Sequence, residues 1–240
     1  MSLGGANRIS WLGHGSFQIV SSSGSVILLD PWLANNPSCP SQFHAPDRVD
    51  AILVTHGHFD HIADVPALAI EHGAKVVCNF EIGVWMQRKG VAEDKVVGMN
   101  KGGTVDVLDG MSATMVHAEH SCGIMEDDGT IVYGGDAGGF VLRQEGQPTI
   151  YFAGDTALFG DMKLFGELYQ PRAAVLPIGG HFTMDPRDAA RAARMLGVQQ
   201  VVPCHFGTFP VLAGRPEQLR DALAGEAEVV AVEPGQELPD

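Results

Sequence analysis

Apolar residues along this chain fall into short runs, and most of the runs are followed by a helical pattern. The runs are short and apolar throughout, which predicts buried strands at residues 50–54, 74–78, 149–153, 173–178 and 200–204. Helices are predicted after four of them, at residues 65–72, 81–89, 186–195 and 216–224. Strands that alternate with helices indicate a sheet with helices packed outside it.

Two other stretches predict antiparallel strands. Residues 9–20 have strand composition and lead through a Ser-Ser-Ser-Gly turn into a strand at residues 26–30. A region without a helical pattern, residues 96–142, predicts strands at 103–108, 112–118, 130–133 and 140–142. We therefore predict an α/β (α+β) fold, with helices outside two facing sheets, as one domain over residues 1–240. Residues 1–7 are expected to be a flexible start or a remnant of cloning.

Polar side chains gather after the strand at 50–54, in the sequence His-Gly-His-Phe-Asp-His that begins at His56. In an extended segment His56 and His58 point the same way, so both rings can reach one cation. Asp60 and His61 follow past a bend, where they can face a second cation. Histidine is the commonest metal-ligating side chain. This loop, which ends where Asp64 is expected to cap the next helix, therefore predicts a site for two metals.

Three further strands end in a histidine or an aspartate. His205 follows the strand at 200–204, and Asp155 follows the strand at 149–153. Asp155 is either a metal ligand or the N-cap of a helix that starts near Ala157. His117 and His120 compete for another ligand position, because His117 lies within its strand, where its direction depends on register, and His120 lies just past the strand end.

The motif His-x-His-x-Asp-His after an apolar strand resembles the signature of the metallo-β-lactamase superfamily. The Leu-Asp-Pro-Trp corner at 29–32, the His-Ser pair at 120–121 and the Pro-Ile-Gly-x-x-Phe-Thr-Met loop at 177–184 are similar to its compact branch of metal-dependent hydrolases, which includes ascorbate-6-phosphate lactonase. The resemblance covers residues 9–232. It implies a four-layer αβ/βα sandwich with the site along the sheet edges.

The resemblance also implies how two divalent cations are held. It favours His120 over His117 and makes Asp155 the ligand that bridges both cations. It assigns the first cation to His56, His58 and His120, and the second to Asp60, His61 and His205. Zn²⁺ suits such nitrogen-rich ligands, while Mn²⁺, Fe²⁺ and Ni²⁺ remain open.

Several side chains have predicted roles in the chemistry. A hydroxide held between the cations would attack the substrate, and Asp60 would orient it while ligating. We hypothesise that His181 protonates the leaving group. Thr183 is expected in the substrate pocket. His14 either lines this pocket or is hydrogen-bonded at a sheet edge, and Asp136 is either a turn residue or a carboxylate that holds a ligand histidine.

Charge and composition limit the partners. A net charge of −14 over 240 residues argues against binding to nucleic acid. No apolar run approaches the roughly 20 residues needed to span a membrane, and residues 1–8 lack the apolar segment of a signal peptide. We expect a cytoplasmic protein with a small-molecule substrate and four free cysteines, and the sequence leaves a homo-oligomer open.

The resulting hypothesis is a dinuclear metal-dependent hydrolase that acts on a small anionic substrate, a lactone or a phosphodiester. A thioester or glyoxalase-type hydrolase and a non-catalytic metal-binding sensor module are the alternatives. A β-lactamase is disfavoured because His61 supplies a ligand where those enzymes differ. A di-iron oxidoreductase is disfavoured because that branch resembles His-x-Glu-x-Asp-His, and this chain has His58 at the second position.

Overall fold

The computed structural model describes residues 3–239, which contain fifteen β-strands and six α-helices. The strands are β1 Arg8–Gly13, β2 Ser16–Val20, β3 Val26–Leu29, β4 Ala51–Leu53, β5 Lys75–Asn79, β6 Val96–Met99, β7 Thr104–Leu108, β8 Met111–His117, β9 Gly123–Met125, β10 Ile131–Tyr133, β11 Gly138–Gln144, β12 Ile150–Phe152, β13 Ala173–Pro177, β14 Gln200–Cys204 and β15 Glu228–Val229. The helices are α1 Phe59–Ile62, α2 Val65–His72, α3 Phe80–Arg88, α4 Met162–Tyr169, α5 Pro186–Leu196 and α6 Pro216–Leu223. No helix within the described range has the length and apolarity to cross a membrane.

The strands form two large sheets and one small one. The six-stranded sheet has the order β1-β2-β3-β4-β5-β6, and the seven-stranded sheet has the order β15-β14-β13-β12-β11-β8-β7. Neighbouring strands run parallel from β3 to β6 in one sheet and from β12 to β15 in the other. Parallel neighbours need a crossover connection, and all six helices lie in these crossovers.

Buried apolar side chains form three clusters, one between the two sheets and one on the outer face of each sheet. Between the sheets, Ile19 and Leu53 from the first pack with Phe140 and Val175 from the second. The other face of the first sheet packs against α2 and α3, and the other face of the second sheet packs against α4, α5 and α6. The layers therefore run helix, sheet, sheet, helix, which confirms the predicted αβ/βα sandwich.

The predicted helices at 65–72, 81–89, 186–195 and 216–224 appear with nearly the same bounds as α2, α3, α5 and α6. Local signals explain the agreement. Gly73 and Gly197 end their helices in the left-handed conformation, with φ of 60° and 68°. The Asp185 side chain caps the first turn of α5 by accepting from two backbone N–H groups.

Three predicted elements differ from the structure. Residues 9–20 form two antiparallel strands instead of one, because Gly13 and His14 turn the chain with φ of 96° and 54°. Asp60 and His61 lie on the short helix α1 and not in a loop. The helix expected near Ala157 begins only at Met162, since the Ala157 N–H donates to the Glu119 carbonyl and holds this segment against the neighbouring loop.

In the structure, residues 3–7 of the start that is expected to be flexible or a remnant of cloning lie against the sandwich. Leu3 is buried in the core between the sheets, and the Ala6 N–H donates to Gln147 Oε1 at 2.7 Å. Met1 and Ser2 lie outside the described residues. The start of the described chain is therefore part of the packed sandwich.

Candidate metal centre

Strand ends and the short helix α1 carry polar side chains to one edge of the sandwich. Residues that follow β4, β8, β12 and β14 meet there with residues of α1. We call this set the His/Asp cluster, which consists of His56, His58, Asp60, His61, His120, Asp155 and His205. All seven ligands implied by the sequence resemblance are thus in one place.

Three histidines form one half of the cluster. His56 Nε2 lies 3.0 Å from His58 Nδ1, which lies 3.3 Å from His120 Nε2. Burial lowers the pKa of all three rings, so they are neutral and have lone pairs to offer near pH 7. Asp155 Oδ2 lies 4.0 Å from His56 Nε2 and 3.7 Å from His120 Nε2. Three nitrogens and one carboxylate oxygen therefore face a common point.

The other half contains Asp60, His61 and His205. His205 Nε2 lies 3.0 Å from Asp155 Oδ2 and 3.7 Å from Asp60 Oδ2. His61 Nε2 lies 3.4 Å from Asp155 Oδ1 and 4.0 Å from Asp60 Oδ2. Asp155, which is 4% exposed, therefore lies between the two halves and within reach of both.

The electrostatics of the second half fit a divalent cation. Burial lowers the pKa of His205, but the Asp155 carboxylate outweighs burial and raises that pKa to about 9. Burial also lowers the pKa of His61, but the Asp155 and Asp30 carboxylates outweigh it and hold that pKa well above its usual value. Within residues 3–239, buried His61 Nε2 and both ring nitrogens of His205 make no hydrogen bond of normal geometry, although both Nε2 atoms lie close to Asp155. A cation would give Nε2 of each ring a partner and offset the two carboxylates.

Asp30 contacts the Nδ1 edge of the His61 ring, and it has no predicted role from the sequence. Its Oδ2 accepts from His61 Nδ1 at 2.8 Å, and its two oxygens also accept from the hydroxyl and the backbone N–H of Thr55. The bond to Nδ1 turns His61 Nε2 towards Asp155. The Leu-Asp-Pro-Trp corner, which includes Asp30, was the available signal.

His14 is part of the same region. Its ring is buried at the turn between β1 and β2, with Nε2 2.8 Å from Asp60 Oδ2 and Nδ1 2.9 Å from Thr208 Oγ1. Burial lowers the pKa of His14 to about 4. Burial raises the pKa of Asp60, but the neighbouring His14 and His205 rings outweigh burial and hold it below its usual range. A neutral imidazole thus faces an ionised carboxylate.

Two residues weighed in the sequence analysis lie away from the cluster. Asp136 is exposed and pairs with Lys101 Nζ at 3.3 Å, so it does not hold a ligand histidine as one interpretation required. His117 lies beside Glu119 and Phe159, and its side chain is 42% exposed. The structure therefore brings His120, and not His117, to the other histidines.

The loop that carries His181 and Thr183 follows β13. Its Met184 N–H donates to the Thr156 carbonyl at 3.1 Å, so the loop packs against the segment that carries Asp155. His181 is exposed, and its ring contacts Phe182. Among the described residues, no hydrogen bond or ion pair joins His181 or the Thr183 hydroxyl to the cluster.

Comparison with known proteins agrees with this geometry. A family model described as the beta-lactamase superfamily domain matches residues 25–206. A UPF0173 metal-dependent hydrolase of Koribacter versatilis is 50% identical over 95% of this chain and 96% of its own length. Another from Roseiflexus sp. is 47% identical over 99% of both chains.

A solved structure extends the comparison. Igni18, a metallo hydrolase from Ignicoccus hospitalis, superposes with a TM-score of 0.82 at 33% identity and covers 96% of this chain and 97% of its own. A metal-dependent hydrolase structure from Parabacteroides distasonis superposes with a TM-score of 0.69 at 25% identity. The chain therefore belongs to the metallo-β-lactamase superfamily and is a metal-dependent hydrolase of its UPF0173 family.

Proposed function

We propose that the His/Asp cluster holds two divalent cations and that the protein hydrolyses a small anionic substrate, a lactone or a phosphodiester. The position of Asp155 carries this proposal. Its oxygens lie 3.0 Å from His205 Nε2, 3.4 Å from His61 Nε2 and 3.7 Å from His120 Nε2. One carboxylate that adjoins both halves of the cluster can serve as the shared ligand.

Each half of the cluster would hold one of the two cations. His56, His58 and His120 would hold one cation, and Asp60, His61 and His205 would hold the other. Five nitrogen ligands favour Zn²⁺, and Mn²⁺, Fe²⁺ and Ni²⁺ are the competitors to test. When bound, a pair of such cations lowers the pKa of a shared water towards neutrality and stabilises negative charge on the reacting oxygen.

The chain itself supplies orientation and a partly apolar wall. Asp60 accepts from His14 and faces the second half of the cluster, where it can orient the attacking water. Trp32 packs against Phe59 and Phe209, and Phe59 is 57% exposed. This aromatic group adjoins His14 and supports a small substrate with an apolar part.

His181 is the residue we propose for protonating the leaving group. Its loop packs on the segment that carries Asp155, and its ring is free to meet a substrate from the solvent side. We expect the H181A variant to lose more activity on substrates with poor leaving groups than on those with good ones. Equal losses on both kinds of substrate would remove His181 from this role.

The charge of the molecule supports a small substrate over a nucleic acid. A net charge of −14 repels nucleic acids. A small anion experiences mainly the local field, which two divalent cations would make positive at the cluster. The proposal therefore has no role for a nucleic acid or a membrane.

The test uses protein reconstituted with Zn²⁺ or Mn²⁺ and a matched panel of lactones, thioesters and phosphodiesters. Hydrolysis of each class releases acid, so proton release in a pH-stat compares all three. The D155N variant, which keeps the side-chain volume and removes the charge, is the control, together with a chelator. We expect chelator-sensitive turnover of lactones or phosphodiesters and almost none with D155N.

The other outcomes are equally informative. Turnover of thioesters alone would replace the proposal by a thioester or glyoxalase-type hydrolase. Two bound cations without turnover of any class would favour a metal-binding sensor module. One bound cation per chain would contradict the dinuclear site.

A further inference from the structure

His14 is not one of the proposed cation ligands, yet its backbone has an uncommon conformation. It has φ of 54°, a left-handed conformation that is strained for a non-glycine residue. Its carbonyl accepts from the His205 N–H at 3.0 Å and from Trp11 Nε1 at 2.9 Å. The bond from His205 ties the β1–β2 turn of one sheet to the end of β14 in the other, and the bond from Trp11 holds the turn to β1, so the backbone places the ring at Asp60.

In the chain of hydrogen bonds through His14, each donor and each acceptor can be assigned. A carboxylate oxygen accepts, so His14 Nε2–H donates to Asp60 Oδ2 at 2.8 Å. His14 Nδ1 lies 2.9 Å from the Thr208 hydroxyl, which can donate to it. Thr208 in turn accepts from the Ser38 hydroxyl at 3.3 Å. Thr208 therefore fixes the tautomer that His14 needs in order to donate to Asp60.

The oxygen that His14 binds is the one that faces the second half of the cluster. Asp60 Oδ2 lies 3.7 Å from His205 Nε2 and 4.0 Å from His61 Nε2. A donor on this oxygen holds the carboxylate in one rotamer before any cation arrives. Asp30 plays the corresponding part for His61, whereas the first half of the cluster has no contact with His14 among the described residues.

We propose that His14 is a positioning residue for the second cation, which orients Asp60, and that Thr208 fixes the His14 tautomer. The inference rests on the proposed two-cation centre. It predicts a selective effect: losing the His14 donor should weaken binding of the cation held by Asp60, His61 and His205, and leave the cation held by His56, His58 and His120 in place.

The test compares H14N with H14Q and T208V with T208S in the full chain. Asparagine tolerates the left-handed backbone but is too short to reach Asp60, whereas glutamine can present an amide N–H near the place of Nε2. Valine removes the Thr208 hydroxyl at nearly constant volume, and serine keeps it. Zn²⁺ affinities of both sites are measured by competition with a chromophoric chelator, and thermal unfolding of the metal-free variants checks folding.

We expect H14N to weaken one of the two Zn²⁺ equivalents by about 10–100-fold and to leave the other unchanged, with a smaller loss for T208V and recovery in H14Q and T208S. With Co²⁺ as the probe, H14Q at saturation should keep the wild-type visible spectrum, because His14 is not a ligand. An altered Co²⁺ spectrum in H14Q would make His14 a ligand and overturn the inference. Equal weakening of both equivalents, or unchanged affinity in both H14N and T208V, would also overturn it.

These results are separable from the test of the proposed function. If the wild-type protein binds fewer than two cations, the two-cation centre fails. If the wild-type protein binds two cations and the His14 and Thr208 variants match it, only the positioning role fails.

Discussion

At the scale of single residues, the cluster depends on polar side chains that lie outside it. Thr55 Oγ1 lies 3.0 Å from His56 Nδ1, Ser121 Oγ lies 3.2 Å from His58 Nε2, and Asp30 accepts from His61 Nδ1. Each contact uses one ring nitrogen and leaves the other directed into the cluster. Such partners set the tautomer and the orientation of ligand histidines.

The D30N variant tests this dependence. Asparagine keeps the volume of Asp30 but loses the charge that its buried partner His61 faces. We expect Zn²⁺ affinity to fall about 10–100-fold, as measured by chelator competition. The matched control is D136N, which makes the same chemical change in an exposed carboxylate away from the cluster, and it should bind Zn²⁺ like the wild type. Equal affinities for D30N and D136N would contradict the role of Asp30.

The two halves of the cluster should differ in proton release. In the metal-free protein, carboxylates raise the pKa of His205 to about 9 and also raise that of His61, so both rings carry protons near pH 7. A cation must displace these protons, so its affinity should increase with pH up to about 9. The rings of His56, His58 and His120 have lowered pKa values and release none.

Calorimetric titration with Zn²⁺ in two buffers of different ionisation enthalpy measures this difference. One equivalent should show a buffer-dependent heat, and the other should show almost none. Variant H120A, which removes a ligand of the first half only, should keep the buffer-dependent equivalent. Equal proton release from both equivalents would contradict the assignment.

At the scale of elements, the site depends on where strands end and how closely their backbones approach. Gly154 precedes Asp155 with φ of 63°, and a Cβ there would lie 2.8 Å from the Thr55 side chain and 3.0 Å from the Gly138 carbonyl oxygen. Only glycine allows β12 to approach the loop after β4 this closely. The approach brings Asp155 beside the histidines that follow β4.

The G154A variant should therefore shift Asp155 and weaken cation binding, with about 1–3 kcal/mol lost in the free energy of unfolding. The matched control is G146A, in the turn before β12, which has a similar φ of 72° but no atom within 4 Å of an added Cβ. G146A should show the backbone strain in urea unfolding without a change in Zn²⁺ affinity. If both variants bind Zn²⁺ equally well, close approach at Gly154 does not position Asp155.

At the scale of the whole molecule, the cluster joins the two sheets. His56, His58 and His61 belong to the half of the chain that forms the first sheet, whereas His120, Asp155 and His205 follow strands of the second. Across this junction, His61 Nε2 faces Asp155 and His205 Nε2 faces Asp60. Bound cations would therefore connect the halves of the sandwich.

Removal of metal should lower thermal stability. A ligand at 100 times its dissociation constant stabilises the folded state by about 2.7 kcal/mol, which for a chain of this size corresponds to about 5–10 °C. We expect a chelator to lower the unfolding midpoint of the Zn²⁺-loaded protein by at least that much. The D155N variant, treated in the same way, should shift less. An unchanged midpoint in the wild type would mean that the cations do not stabilise the folded protein.

Local patterns in the sequence were sufficient for most of the architecture. Short apolar runs and glycine stops predicted the strands and the helices α2, α3, α5 and α6, because periodicity and capping act within a few neighbouring residues. Local patterns also singled out the polar residues of the motif that begins at His56, and Asp155 and His205 at the ends of predicted strands. The family resemblance favoured His120 over His117 and made Asp155 a ligand. The turn at His14 was missed because the flanking runs are both strand-like.

Tertiary structure decided what local patterns leave open. The choice between His117 and His120 depended on the register of β8, and the roles of Asp30 and Asp136 depended on which carboxylate the fold buries beside His61. His14 and Thr208, 194 residues apart, meet only because the two sheets share an edge. The sequence by itself determined most of the elements and the residue types for metal chemistry, whereas distances between remote side chains exist only after the two sheets have packed.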